Sequence, residues 1–340
     1  MYQGQTLSGA DALKKANIKP LTLKAKEGLA LLNGTQMMTA IGTLTLLEAE
    51  HLADIADLAG AMTIEAVMGS HQPFDERIYS VRPHSGHRQS AERIRKHLAN
   101  SEIAHAHAHC GRVQDAYSLR CIPQVHGAVR DALAYARTVL SIEINAATDN
   151  PLVFPPDQHH PEGSVISQGN FHGEPVAMAL DMLAIAVAEL GSIAERRMDK
   201  LMNPVFSELP AFLVPAGHEG LNSGFMIVHY AAASLVSENK ILAHPAVVDS
   251  IPTSNDKEDH VSMGATAARK ARQILKHTRW VLASELLCAA QGLEFRQGLK
   301  PGDGVANVYQ KIRSIVPPLH ADRILSTDVE KICGILSELL

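Results

Sequence analysis

Apolar residues recur at helical spacing along most of the chain. Between Leu29 and Met68 the Leu, Ile, Ala and Met positions repeat every three to four residues, predicting one long helix with Asn33 and Gly34 near its beginning and Gly69 at its end. Ser70 to His87 carries Pro73, Pro83 and Gly86 and reads as a connecting loop before a basic amphipathic helix in GHRQSAERIRKHLAN. Pro123 suits a helix start, and VHGAVRDALAYARTVLSIEINAA continues the period from it. Beyond the polar, proline-rich NPLVFPPDQHHPEGS, long helices are predicted from Glu174 to Met202, Glu219 to Leu242 and Met263 to Leu293, with shorter ones after Asp303.

Little β-branched alternation remains, so the fold class is all-α, a bundle of very long antiparallel helices with few strands. A helix of about thirty residues isolated in water leaves an apolar stripe unpaired along its whole length, so these helices must pack together. Three or four of them make a thin bundle, and copies of the chain are the natural cover for the remaining stripes. The helical core is expected over about 28–295, with a small helical C-terminal region over about 296–340.

Composition supports this picture. Of the 340 residues 46% are hydrophobic but only 4% aromatic, so aliphatic side chains and alanine must fill the interior, as long packed helices favour. The 31 basic and 36 acidic residues give a formal charge of -5 without a dense Lys/Arg run, which argues against nucleic acid as a partner. Cys110, Cys121, Cys288 and Cys333 form neither a CxxC pair nor a secreted framework and are expected as reduced thiols in a cytoplasm. No segment is expected to be apolar enough to span a membrane, because Glu189 interrupts the best candidate, and the N-terminus lacks the features of a signal peptide.

Several polar clusters sit beside the long apolar helices. LLNGTQ places Asn33 and Gln36 three apart, as at a helix start with a satisfied amide or as a ligand-orienting amide. If QDAYSLRC is helical, Gln114, Tyr117 and Arg120 fall on one side, and an amide, a phenol and a guanidinium together suit an amino acid. A plain helix surface with a snorkelling Arg120 explains them equally well. GNFHGEP reads as a glycine turn that brings backbone and Phe171 to a ligand, or as a plain helix entry. IPTSNDKEDHVSMG gathers Asp256, Lys257, Glu258, Asp259 and His260 before a helix, where the dipole accounts for one carboxylate but not the cluster. AHAHAHC, with His105, His107, His109 and Cys110, is expected as a loop or helix start and not as a metal site, since alternate imidazoles converge only on an extended strand. No metal ligand set is assigned.

In this order EGLALLNGTQ, RPHSGHRQSAERI, QDAYSLRCIPQVHGA, EINAATDNPLVF, GNFHGEPVA, FSELPAFL and IPTSNDKEDHVSMG resemble the histidine and phenylalanine ammonia-lyase family over essentially the whole chain. The resemblance implies the C-terminal two thirds of one aromatic amino acid lyase domain, assembled as a homotetramer. It implies elimination of ammonia through methylidene-imidazolone, an electrophile formed from an internal Ala-Ser-Gly. Asn33 would contact that group and the substrate, and Phe171 would pack near it. Arg120 would grip the substrate carboxylate, with Gln114 and Tyr117 completing the polar wall. Glu258 stands where histidine lyases keep a carboxylate, which suits an imidazole, while Lys257 replaces a usual glutamine and is expected to pair with Glu258.

Ser8, Ser85 and Ser223 precede glycine but none follows alanine, so Ala-Ser-Gly does not occur in these 340 residues. The resemblance places that triad and a catalytic loop tyrosine before the first residue here, so this chain alone is expected to be inactive. Histidine elimination to urocanate with an N-terminal partner or segment is the leading expectation. The alternatives are a noncatalytic helical assembly or amino-acid-binding homologue, and a tyrosine or phenylalanine lyase or aminomutase.

Overall fold

The computed structural model describes residues 1–106, 113–215 and 217–340. His107, His109 and Cys110 therefore lie outside the described residues, whereas His105 sits in the short helix Glu102–Ala106. The chain forms two compact units: Met1–Thr35 with Ala147–His172, and Gln36–Ala146 with Gly173–Leu340.

The first unit holds the short helices Gly9–Lys15 and Glu27–Ala30 and a hairpin of β1 (Leu152–Phe154) and β2 (Ser164–Ile166). The strands are antiparallel, with Val153 opposite Val165. Ser8 caps the first helix by accepting the Asp11 N–H, a hydroxyl satisfying a donor that the first turn leaves unpaired.

The second unit is the expected helical bundle. Its long helices are α1 (Gln36–Ala66), α2 (Ser85–His97), α3 (Ile122–Glu143), α4 (Glu174–Met202), α5 (Met226–Leu242) and α6 (Gly264–Leu293), followed by α7 (Asp303–Ile315) and α8 (Ser326–Ile335). The core lies where α1, α4 and α6 meet. Ala49, Ala53, Ala56 and Ala59 on α1, Ala184 and Ala194 on α4, and Ala283 and Ala290 on α6 have no exposed surface. Small side chains let the helix axes approach, and Leu, Ile and Met fill the gaps at interior density.

Glycine sets one crossing. A Cβ on Gly86 would lie 2.1 Å from the Gly127 carbonyl oxygen, and one on Gly127 would lie 2.4 Å from the His87 nitrogen. Only two glycines allow α2 and α3 to touch backbone to backbone.

Three expectations are corrected. The helix foreseen from Leu29 ends at Ala30 and resumes at Gln36, because Gly34 adopts φ 151° between them. The helix foreseen from Glu219 begins at Met226, since the Ser223 and Gly224 N–H groups donate to Asp322 at 2.7 and 3.0 Å and hold that stretch as a loop. Finally, α4 is long and apolar enough to cross a membrane, with mean hydropathy 1.9 over 18 residues. Two thirds of that stretch is buried against the protein itself, which marks α4 as a core helix.

The core also contains charge. Arg197 on α4 and Glu285 on α6 have no exposed surface and form a two-pronged pair at 2.5 and 2.7 Å, to which Thr63 adds a hydrogen bond at 2.7 Å. Asp57 on α1 accepts from Ser90 at 2.5 Å, from His126 at 2.7 Å and from Arg130 at 2.6 Å. Burial pushes the Asp57 carboxyl up, but the His126 hydrogen bond, the Arg130 charge and Ser90 outweigh it and leave it below its ordinary value. Burial drives the His126 imidazole down, so Nδ1–H donates to Asp57 while Nε2 faces the Arg197 guanidinium at 3.4 Å.

Candidate active site

Within the second unit the polar residues gather between the end of α1 and the start of α3. A single helical turn, Tyr117–Arg120, enters from extended Ala116 and stops at Cys121, which leads directly into α3 with Pro123 in its first turn. Asp115 accepts the Ser70 N–H at 2.7 Å and ties this segment to the residues just after α1. Gln114 precedes the turn, so the expected one-sided helix of Gln114, Tyr117 and Arg120 is corrected: only the last two share it. The turn is short because Ala116 is extended and α3 begins its own first turn two residues after Arg120.

The arrangement nevertheless brings Gln114 and Arg120 into one open cavity of about 1120 Å³, together with Gln72, Arg77, Asp115 and Gln124. Two guanidinium groups line it. Arg77 is engaged, forking onto Asp75 at 2.9 and 2.7 Å and holding that carboxyl well below its usual range. Arg120 makes no ion pair among the described residues, and its buried Nε has no hydrogen-bond partner. Its guanidinium lies 4.8 Å from the Tyr117 ring centroid, a stacking that orients the fork without occupying its donors. Tyr117 itself is largely exposed.

Glu258 lies in the loop before α6. Thr253 and Glu258 form an isolated antiparallel bridge, and Ser254, Asn255 and Asp256 between them all adopt positive φ, making a tight reversal. The Thr253 hydroxyl donates to the Glu258 carboxylate at 2.7 Å. Among the described residues Lys257 makes no ion pair, so the expected pairing with Glu258 is corrected; the Glu258 carboxylate is engaged by the Thr253 hydroxyl instead.

The first unit places Asn33 and Phe171. Asn33 donates its amide to Asp149 at 3.4 Å, and Asp149 also pairs with Lys26. The Lys26 hydrogen bond, followed by that of the Asn150 N–H, holds the Asp149 carboxyl below its ordinary value. Gln168 donates to the Asp149 carbonyl at 2.6 Å and receives the Asn170 N–H, fixing the turn before Phe171. Phe171 is partly exposed. Sequence reasoning did not single out Asp115, Asp149 or Gln124; their only signal is membership of the quoted motifs.

A family model described as aromatic amino acid lyase matches residues 1–314. The histidine ammonia-lyase of Myxococcus xanthus is 52% identical over 331 residues, covering 97% of this chain and 64% of that protein. The solved structure of histidine ammonia-lyase from Trypanosoma cruzi superposes with a TM-score of 0.87 at 46% identity, covering 97% of this chain and 61% of that one. Tyrosine aminomutase from Streptomyces globisporus gives a TM-score of 0.91 at 38% identity, covering 100% of this chain and 67% of that one. The chain thus spans a little under two thirds of the length of the curated relatives it matches. Motif order, helical fold and matched length agree, and the chain belongs to the aromatic amino acid lyase family.

Proposed function

We propose that this chain is the larger part of a histidine ammonia-lyase, a carbon–nitrogen lyase that eliminates ammonia from L-histidine to give urocanate. The observation that carries the reading is Arg120, a guanidinium stacked on Tyr117 that makes no ion pair among the described residues, in a cavity whose lining includes Gln72, Gln114 and Gln124 beside Asp75 and Asp115. A planar fork is matched to the α-carboxylate of an amino acid, and Gln114 adds an amide to the same wall. Tyr117 presents a phenol beside that fork, able to donate or accept a proton. Glu258 offers a carboxylate to an imidazole N–H, which favours histidine over tyrosine or phenylalanine as substrate. In the overall reaction the Cα–N bond breaks, the β-proton leaves and a carbon–carbon double bond forms.

The electrophile of this family, methylidene-imidazolone, supplies activation of the amino acid toward loss of ammonia when it is present. Asn33 and Phe171 would border it: the Asn33 amide is oriented by Asp149 and the Phe171 ring is presented on a fixed turn, which fits a small planar group. Its Ala-Ser-Gly precursor would be supplied from outside these 340 residues.

Exposed Leu44 and Leu47 on α1, Met178 and Met182 on α4, and Ile227 and Tyr230 on α5 support burial against further copies, as in a homotetramer. Cys121, Cys288 and Cys333 are all free, which supports a reducing, cytoplasmic compartment. The test is urocanate absorbance after mixing histidine with this chain, alone and with the family's N-terminal segment in trans. Product only with the added segment supports the proposal. Association without product from histidine favours a noncatalytic assembly, and product from tyrosine or phenylalanine instead overturns the histidine assignment.

A further inference from the structure

The cavity around Arg120 has two walls from different parts of the chain. Ser70, Gln72 and Arg77 come from the stretch after α1, whereas Gln114, Asp115 and Arg120 come from the stretch before α3. The first wall is well anchored. The Gly69 N–H donates back to the Ile64 carbonyl at 2.7 Å, with Met68 at φ 54°, which closes the end of α1. His71 Nε2 lies 2.9 Å from the carboxylate of Glu65, a fully buried residue that also accepts from the Ser101 hydroxyl and the Gly302 N–H, each at 2.9 Å. Between these anchors the Ser70 hydroxyl accepts the Gln72 N–H at 3.2 Å and carries the order on to Gln72.

The second wall is held by packing at one end. Leu119 and Ile122 are buried in the core and fix the turn that bears Arg120. Residues 113–116 belong to no helix or strand, and Gln114 is exposed, so packing does not fix where its amide stands. Asp115, next to it, accepts the Ser70 N–H through Oδ2 at 2.7 Å, and a Cβ on Gly69 would lie 3.6 Å from the same oxygen. The carboxylate thus joins the unpacked end of one wall to the anchored end of the other. We propose that Asp115 is a positioning residue of the candidate site: its clasp on the Ser70 N–H sets the spacing of the two walls and holds Gln114 where its amide meets the carboxylate of an α-amino acid. A carboxylate accepting a backbone N–H makes one of the stronger hydrogen bonds, and ordering the extended stretch in advance spares the substrate that cost in entropy. The inference rests on the amino acid lyase reading above but not on the choice of histidine, because the α-carboxylate is common to every amino acid. Asp115 acts through Gln114 and not on the reacting bond.

The first measurement needs only this chain. Hydrogen–deuterium exchange of the peptide covering Ser70 is expected to speed up at least about tenfold in Asp115→Ala, with α1 and α6 exchanging as in the parent. Asp115→Asn, whose amide oxygen can still accept the N–H, should recover most of the protection. Unchanged exchange at Ser70 overturns the clasp whatever the chain's activity. The second measurement uses the chain assembled with the family's N-terminal segment and compares the KM of L-histidine with the inhibition constant of histamine, which keeps the imidazole and amine but has no carboxylate. Gln114→Ala is expected to raise KM about tenfold with kcat within about twofold, the signature of lost ground-state binding. Asp115→Ala should raise KM several-fold but no more than Gln114→Ala, and the double variant should lie within about twofold of Gln114→Ala, because one residue acts through the other. Asp115→Asn should recover most of the loss, and histamine inhibition should be unchanged throughout. An unchanged KM in Asp115→Ala, independent effects in the double variant, no recovery in Asp115→Asn, or parallel loss of histamine binding overturns the proposal. If the assembly converts tyrosine or phenylalanine instead, the histidine assignment fails and the same series is read on that amino acid and its decarboxylated amine. If it neither converts nor binds any of the three by calorimetry, the lyase reading falls, and faster exchange at Ser70 would then mark Asp115 as purely structural.

Discussion

Replacing Arg197 with methionine should be among the most destabilising single changes in the chain. The guanidinium is fully buried and donates twice to Glu285, at 2.5 and 2.7 Å. Methionine fills much of the same volume, so the cavity contribution is small and the main loss is electrostatic. Among the described residues Glu285 would keep the Thr63 hydroxyl, at 2.7 Å, as the one hydrogen-bond partner for a buried carboxylate. Breaking a buried pair on one side costs about 3–5 kcal/mol, against a net stability of roughly 5–15 kcal/mol. Removing both charges, as in Arg197→Met with Glu285→Leu, should recover most of that loss, because a packed apolar pair commonly matches a buried ionic one. The chain's single tryptophan, Trp280, sits on α6 five residues before Glu285 and reports this region directly. Urea unfolding followed by Trp280 fluorescence would measure all three proteins. A single variant within about 1 kcal/mol of the parent, or a double variant no more stable than the single one, would refute the reasoning.

Four further outcomes follow from the geometry. Burial lowers the His126 pKa, so below the unfolded value of about 6.5 the unfolded chain binds a proton that the folded one refuses; stability is fully present above that pH and falls by at most about 1.4 kcal/mol per unit as pH drops toward the depressed value. His126→Gln should flatten that slope in urea titrations at several pH values, and an unchanged slope would place the titration elsewhere. Gly127→Ala should cost roughly 2 kcal/mol or more, because the new Cβ meets the His87 backbone at 2.4 Å and neither helix can yield locally; an unaltered unfolding midpoint would contradict the close crossing. In the assembled enzyme Arg120→Lys, which keeps charge but loses the fork, should raise the KM for histidine at least about tenfold, and an unchanged KM would remove Arg120 from the carboxylate role. Glu258→Gln should lower kcat/KM for histidine more than for tyrosine or phenylalanine, and equal losses would separate Glu258 from substrate choice.

The sequence was most informative where one physical rule acted alone. The α4 helix spans Glu174–Met202 as foreseen, because Gly173 and Pro175 mark its start and uninterrupted apolar periodicity carries it to Asn203. The long helices α3 and α6 were legible for the same reason. Prediction failed where a distant partner decides the backbone. Nothing near Glu219 in the chain signals that Asp322 will hold Ser223 and Gly224 in a loop. Residue type alone suggested Arg120 as a carboxylate binder or as a surface arginine, whereas its stacking on Tyr117 and the diversion of Arg77 onto Asp75 emerge only in three dimensions. The same holds for Gln114, whose place in the cavity comes from an extended approach and not from a helical face.

The Asp322 link also changes how alterations near the end of the chain should be understood. Its carboxylate is the device that terminates the loop and admits α5, almost a hundred positions earlier in the order of synthesis. During translation Ser223 and Gly224 must therefore wait for the ribosome to deliver their acceptor before this stretch can acquire its final path. A deletion or tag that disturbs the chain around Asp322 would consequently register as a defect at the head of α5, far from the edited codons, and would be misread as damage to that helix.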